Sequence, residues 1–490
     1  MTTTDAVTSP EQTGRGPSSR WTGLAVISLA QLMVTLDSTI VAVALPSAQQ
    51  DVGLTDVTRQ WAVTAYALTF GGLLLLGGRI GDHIGRRRSL IIGVAGFALA
   101  SALGGAAGSA ETLLAARALQ GVFAALIAPA TLSLISLTFL DPKERARAFG
   151  IFTATSMSGG ATGLVLGGAL TTLLDWRWCL YVNLPIAALI LVGAWLTVPR
   201  TDGRHEAKLD VPGAVLGTLG LLSLIYGLGE AANLGWSSPV IIGALLVGVL
   251  LLATFAVVES KVSAPLLPLR VLTNRNSGGA FLAMAISAFC MLGMFLGMTY
   301  QLQSVMGYKP IQAGLAFLAY IVTAAIYSTQ VAPKLLLRVR PGMMISSGLV
   351  VSAVGLLLLT RLTPESTYPV DILPALLLFG IGVGNIAVPI FSTAMSAADA
   401  RDAGIVSAVV STSQQIGGSI GTALLNTVSA VAAAGYLLSN PTGADPEAAA
   451  MVHGLAVACA VAGGVALVGA LAARLLIVID PRRKKEAAAG

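Results

Sequence analysis

The chain has 490 residues, 55% of them hydrophobic and only 11% charged, with a formal net charge of +6 and a mean hydropathy of +0.82. Soluble domains carry roughly twice that share of charged residues, so the composition excludes a soluble globular protein and points to a chain that lives in lipid. Three cysteines and three histidines lie far apart, which argues against a disulfide framework and offers no spacing suited to a metal ion.

Residues 1–20, rich in Thr, Ser, Gly and Pro, read as a short disordered tail on the cytoplasmic side. Fourteen apolar runs of about membrane-spanning length follow. They lie at 21–45, 60–80, 89–108, 112–139, 148–174, 179–198, 211–230, 239–258, 278–300, 311–332, 343–361, 371–396, 404–430 and 452–479. The first is too long for a signal-peptide core and has no small-residue cleavage site after it, so it is read as span one. The fold class expected is an all-α integral membrane protein with 14 transmembrane helices.

Span one contains Asp37 and span four contains Arg117. A charged side chain at mid-membrane costs roughly 2.5–3.5 kcal/mol on insertion scales, so a functional role is the default reading of each. Counted from the outer ends of their spans, the two depths differ by roughly 6 Å at 1.5 Å per residue, close enough for a pair. A carboxyl so placed can take up a proton at one face and release it at the other as the helices move. Asp37 is therefore the expected proton carrier and Arg117 its modulator. The plainer alternative, a static pair holding spans one and four together, is weakened because buried pairs are poor stabilisers on balance.

Between spans two and three the loop reads Gly78-Arg79-Ile80-Gly81-Asp82-His83-Ile84-Gly85-Arg86-Arg87-Arg88. Its glycines permit a tight turn. Asp82 is placed to pair with an arginine or to face the positive end of a neighbouring helix. A contact of that kind on one face of the membrane would favour one conformation, which makes Gly78, Asp82, Gly85 and Arg86 candidates for a gating loop. A plain basic loop would explain the arginines but neither Asp82 nor the glycine spacing.

Spans five and thirteen share a glycine spacing, Gly159-Gly160-Ala161-Thr162-Gly163 and Gly417-Gly418-Ser419-Ile420-Gly421, of the kind that lets helix backbones approach. If spans nine to fourteen repeat one to six, these stripes are counterparts and spans seven and eight are an insertion. The expected organisation is a six-helix bundle at 21–199, an inserted helix pair with flanking loops at 200–277, a second six-helix bundle at 278–480 and a basic cytoplasmic tail at 481–490. Parallel halves with a site between them are a recurring transporter plan. With the N-terminus inside, 24 of the 29 Lys and Arg residues fall on the inner face and four (Arg59, Arg177, Lys309, Arg361) on the outer, leaving Arg117 in the membrane. That bias follows the positive-inside rule, so the net charge implies no nucleic-acid partner.

The loop at Gly78, Asp82, Gly85 and Arg86 resembles the signature loop of the major facilitator superfamily. Leu36-Asp37-Ser38-Thr39 through Pro46 is similar to the helix-one motif of its fourteen-helix drug/proton antiporters, and Leu113 to Ala125, with Arg117, Gln120 and Gly121, to the helix-four motif. Trp176-Arg177-Trp178 followed by Asn183-Leu184-Pro185 resembles the join into helix six. Gly159, Gly163, Gly167 and Gly168 resemble the antiporter motif of helix five, from which Leu164 departs where the family usually has proline. The resemblance implies two six-helix bundles plus two inserted helices, a proton gradient as the energy source with no cofactor, and export of amphipathic drug or antibiotic molecules.

Candidates for the substrate cavity are Gln31, Gln120, Phe289, Met294 and Gln414. Glu230, near the outer end of span seven, is a weak candidate and reads more readily as a solvated end residue. Arginine outnumbers lysine 22 to 7, a bias that fits GC-rich bacterial coding. The expected location is the bacterial plasma membrane, multi-pass, with both termini cytoplasmic. The partners expected are the lipid bilayer, protons and a small-molecule substrate, and the sequence leaves an accessory efflux subunit open. An importer or uniporter of a small metabolite shares these features, as would a non-transporting membrane scaffold. No phosphate-binding loop or nucleophile motif suggests an enzyme.

Overall fold

The computed structural model describes residues 17–54, 56–200, 210–262, 265–396, 403–440 and 445–479. The tails at 1–16 and 481–490, the basic stretch 201–209, Arg401 and the side chains of Arg59 and Leu164 lie outside the described set. Among the described residues the regular structure is helical throughout, and 14 helices are long and apolar enough to cross a membrane. In chain order they are α1 (Ser19–Val52), α2 (Trp61–Ile84), α3 (Arg86–Gly105), α4 (Ala110–Thr138), α5 (Pro142–Leu173), α6 (Trp178–Thr197), α7 (Val211–Ala231), α8 (Pro239–Glu259), α9 (Arg275–Val305), α10 (Gln312–Leu336), α11 (Pro341–Arg361), α12 (Tyr368–Met395), α13 (Ala403–Ser439) and α14 (Pro446–Leu476).

The number agrees with the apolar runs, but several helices outrun them. α1 continues through Pro46 to Val52, and α13 has 37 residues, about 55 Å at 1.5 Å per residue against a hydrocarbon layer of about 30 Å. Hydropathy marks only the part of a helix that lipid touches, and the backbone ladder has no reason to stop there. Three wide π turns also escape a sequence reading: Gln301–Val305 closing α9, Tyr327–Val331 within α10 and Tyr368–Ile372 opening α12.

Glycine stripes set the closest helix pairs. On α5, a Cβ at Gly163 would stand 2.8 Å from the Leu36 carbonyl oxygen, and one at Gly167 would stand 3.2 Å from that of Ile40. Gly159 makes the same approach to Leu32 and Thr35. These three, four residues apart, seat α5 directly on the turns of α1 that carry Asp37. Gly168 faces open space, with no atom within 4 Å of its would-be Cβ. On α13, Gly417 and Gly421 lie against the backbone of Ala285 and Phe289 in α9. The pair α9–α13 therefore packs through a glycine stripe as α1–α5 does.

The buried core is divided unevenly. At the end bearing the basic loops, one cluster takes residues from both halves, among them Ile27, Phe149, Phe391 and Val409. At the opposite end the buried core splits into a cluster around Leu36, Ile40, Leu113 and Trp176 in the first half and another around Met294, Phe317 and Phe379 in the second. The halves thus share a buried core at the basic end, while further out Met157 of α5 rests on the second-half cluster. α7 packs on α2 and α13, with Leu222 and Ile225 filling the grooves at Gly72 and Gly71. α8 packs on α7.

Introducing a methyl group at Gly163 forces α1 and α5 apart, an overpacking loss of about 1–3 kcal/mol. Gly163→Ala is expected to lower the apparent unfolding temperature of the detergent-solubilised protein. Gly168→Ala, which adds helix propensity in open space, leaves that temperature unchanged or raises it.

Candidate proton-coupling site

Asp37 and Arg117 meet at the centre of the first half, 0% and 1% exposed. Arg117 Nη1 donates to Asp37 Oδ2 at 2.5 Å. Asp37 Oδ1 accepts from Gln120 Nε2 at 2.9 Å and from Asn183 Nδ2 at 2.8 Å. Arg117 is held from further sides: Nε donates to the Ala62 carbonyl at 3.1 Å, Nη1 also reaches Gln120 Oε1 at 2.7 Å, and the guanidinium lies 4.5 Å from the Tyr66 ring centroid. Ser101 Oγ accepts from Gln120 at 3.1 Å and Asn183 at 2.9 Å, and itself donates to the Leu180 carbonyl at 2.9 Å. Side chains or carbonyls of α1, α2, α3, α4 and α6 thus converge on one carboxylate.

The local sequence explains the convergence. Arg117 and Gln120 are three residues apart and share a face of α4. Asn183 sits one turn into α6, whose entry is fixed by the Trp-Arg-Trp segment: Trp176 Nε1 donates to Asp51 at 3.0 Å, Arg177 pairs with Asp51, and Arg177 Nη2 reaches the Ala107 carbonyl at 3.0 Å. The long arginine side chain bridges the difference in depth between positions 37 and 117. The sequence reading picked out Asp37 and Arg117 but assigned Gln120 to a substrate cavity, named Asn183 only as part of the motif at the join into helix six, and passed over Ser101 and Tyr66. Gln120 is fully buried inside the network and lines no open space.

Other candidates fall elsewhere. Phe289 and Met294 are buried in the core of the second half, the Phe289 backbone lying against Gly421 of α13. Gln31 is half-buried and Gln414 exposed. Glu230 is not a solvated end residue: it is only 8% exposed, accepts from the Thr64 hydroxyl at 3.5 Å, and lies where Trp61 of α2 stacks on Tyr226 of α7. The packing of α7 on α2 joins distant segments and left no trace in the local pattern.

The expected gating loop is almost wholly helical: Gly78 and Asp82 lie in the last turns of α2 and Arg86 opens α3, with Gly85 alone as the turn between them at the basic end. Gly85 has φ +93°, a left-handed turn suited to glycine, and Arg86 Nη2 donates to Asp82 Oδ1 at 2.8 Å. A Cβ at Gly404 would collide with the Asp82 carboxylate, and one at Gly78 would stand 3.0 Å from the Gly404 carbonyl oxygen. The end of α2 therefore rests on the beginning of α13 in the second half. Nearby, Ser133 Oγ of α4 lies 3.0 Å from Ser407 Oγ and 3.2 Å from the Ala403 carbonyl.

Residues 27–422 match the family model of the Major Facilitator Superfamily. The chain belongs to that superfamily. It is 48% identical over 467 residues to the puromycin resistance protein of Streptomyces alboniger, covering 94% of this chain and 92% of that protein. It is 37% identical over 428 residues to the cephamycin export protein of Amycolatopsis lactamdurans, covering 86% and 88%. To a multidrug efflux pump of Mycolicibacterium smegmatis it is 33% identical over 438 residues, covering 89% and 86%. Among solved structures, a human organic anion transporter superposes with a TM-score of 0.64 at 14% identity, over 94% of this chain and 100% of that one. A proton:xylose symporter superposes with a TM-score of 0.59, also at 14% identity, over 93% and 95%. These two share the fold.

Removing one partner of the buried pair leaves an uncompensated charge, typically about 3–5 kcal/mol destabilising. Arg117→Ala is expected to lower the unfolding temperature strongly, and Arg117→Leu combined with Asp37→Asn to recover most of that loss. Gly404→Leu should part the end of α2 from α13 without touching the Asp37–Arg117 pair. Accessibility of cysteines introduced at the basic end would then rise, whereas unchanged labelling would show that the contact closes nothing.

Proposed function

We propose that the chain is a proton-coupled antiporter that exports drug-like or antibiotic compounds across the bacterial plasma membrane by alternating access, with both termini in the cytoplasm and the basic end inside. The buried Asp37–Arg117 network, seated on the α5 glycine stripe, is the observation that carries this reading. A scaffold gains nothing from a charge so expensive to bury. The relatives named for puromycin resistance, cephamycin export and multidrug efflux support the outward direction and suggest puromycin as a first substrate to try.

In this reading the conformation described here, closed at the basic end, has its two outer cores apart and belongs to the side of the cycle that faces outwards. Protonation of Asp37 removes its charge attraction to Arg117. Arg117 keeps the Ala62 carbonyl, Gln120 Oε1 and the Tyr66 ring, so it is not stranded. The new carboxyl proton needs an acceptor, and Asn183 Oδ1 is buried with no hydrogen-bond partner among the described residues. Rotation of the carboxyl towards Asn183 would slacken α1 against α4 and, through the close α1–α5 seam, bias the rocking of the first half against the second. The proton gradient supplies the energy, and no cofactor is required.

Expression in a pump-deficient bacterial host is expected to lower ethidium accumulation and raise puromycin tolerance several-fold. Asp37→Asn and a protonophore should each abolish both effects. Increased accumulation on expression would favour import, and efflux that survives Asp37→Asn would remove Asp37 from the coupling role.

A further inference from the structure

A cavity of about 180 Å³ opens at the end opposite the basic loops, between α9, α13 and α14 and wholly within the second half. A smaller one of about 30 Å³ adjoins it deeper along α9, sharing Gly297, Asn426 and Leu455 in its walls. Two glycines keep the α9 wall low: a Cβ at Gly293 would strike the side chain of Leu425, and one at Gly297 that of Leu455. The helix then widens into the π turn that begins at Gln301, a distortion that frequently marks functional positions. Gln301 is 2% exposed, and its Nε2 amide has no hydrogen-bond partner among the described residues. The amide is closed off from the groove as the side chain stands; a buried donor without a partner is costly, so a side-chain rotation that presents it to an acceptor in the groove would relieve that cost. Across the cavity, Asn426 and Ser429 supply further polar groups, and Met451 and Leu455 an apolar floor.

We propose that this groove is a solute subsite for one ring of an amphipathic molecule that carries a hydrogen-bond acceptor, with Gln301 Nε2, turned into the groove on binding, as the donor. The volume suits a single ring: an apolar cavity of about 150 Å³ accommodates benzene. It is too small for a whole drug-sized molecule, whose pockets run to about 300–1,000 Å³, so the remainder of the ligand extends past Tyr300 and Asn426 into the open side. The mixed lining distinguishes this occupant from an acyl chain, which has no use for a buried amide. The proposal rests on the exporter reading, to which it adds an off-centre position for part of the substrate, distinct from Asp37 and from every cavity residue expected from the sequence.

Two variants test it in the full-length chain. Ala430→Phe fills the groove from an exposed position, so folding is not at stake, and Gln301→Leu keeps length while removing the amide. Equilibrium binding of puromycin and of ethidium is measured in lipid nanodiscs, alongside transport kinetics. Gln301→Leu is expected to weaken binding of at least one probe about fivefold, the effect of one hydrogen bond. Ala430→Phe should weaken it more, with KM rising and the maximal rate and its dependence on Asp37 unchanged. If the native chain extrudes neither probe from cells, the exporter reading fails, while the binding data still decide the subsite. Native protein that binds neither probe, or variants that bind both as the native chain does, would overturn it. Loss of co-purified phospholipid from Ala430→Phe with probe binding unchanged would also overturn it, leaving the groove a lipid site.

Discussion

The ion pair between Asp37 and Arg117 is the interaction on which the rest of the arrangement depends. Two charges withdrawn from water lose several kcal/mol of hydration each, and their mutual attraction offsets that only when every remaining donor and acceptor is met. Here the requirement is distributed over five helices. Gln120 and Asn183 meet Asp37 Oδ1, Ala62 and Tyr66 hold the guanidinium, and Ser101 ties both amides to the Leu180 carbonyl. A change in the charge of one carboxyl alters the balance for all of them at once, which makes the network suited to turning a proton into movement.

Transmission of that change follows from packing. The residues on either side of Asp37, Leu36 and Ile40, form the surface on which Gly163 and Gly167 rest, so α5 has no compliant side chain with which to absorb a shift of α1. α5 in turn packs along α10 in the second half, with Ser328 donating to the Gly150 carbonyl at 3.3 Å. At the basic end the contacts of Asp82 and Gly78 with α13, and of Ser133 with Ser407, hold the halves together through small residues and short polar bonds. Beside them lies the apolar core that the halves share, with Phe149 stacked on Phe391, so opening this end also parts buried apolar surface. The inserted helix α7 bridges α2 and α13 along one flank, so the two seams between the halves are not equivalent.

Much of this was legible in the residues because a membrane imposes strong rules. Fourteen apolar runs and the side on which arginine and lysine accumulate follow from the cost of burying backbone and charge in lipid. Asp37 and Arg117 were visible for the same reason, as charges where none are expected. Neutral partners were not: a serine or amide within a span is common, and only the fold reveals that Ser101, Gln120 and Asn183 converge on one carboxylate. Phe289 and Met294 were expected in the substrate cavity, yet both are buried by helices far away in the chain, Phe289 against Gly421 of α13. Glu230 was misjudged because its burial depends on α2, which lies some hundred and sixty residues earlier.

The most direct test of the central claim separates movement of substrate from its coupling to protons. In proteoliposomes containing the native chain, an imposed pH gradient is expected to drive puromycin uphill, and without a gradient labelled puromycin should still exchange against unlabelled. Asp37→Asn should retain the exchange and lose the uphill accumulation. Uphill accumulation by Asp37→Asn at the native level would contradict the account, since the proton would then travel by a route that does not include this carboxyl.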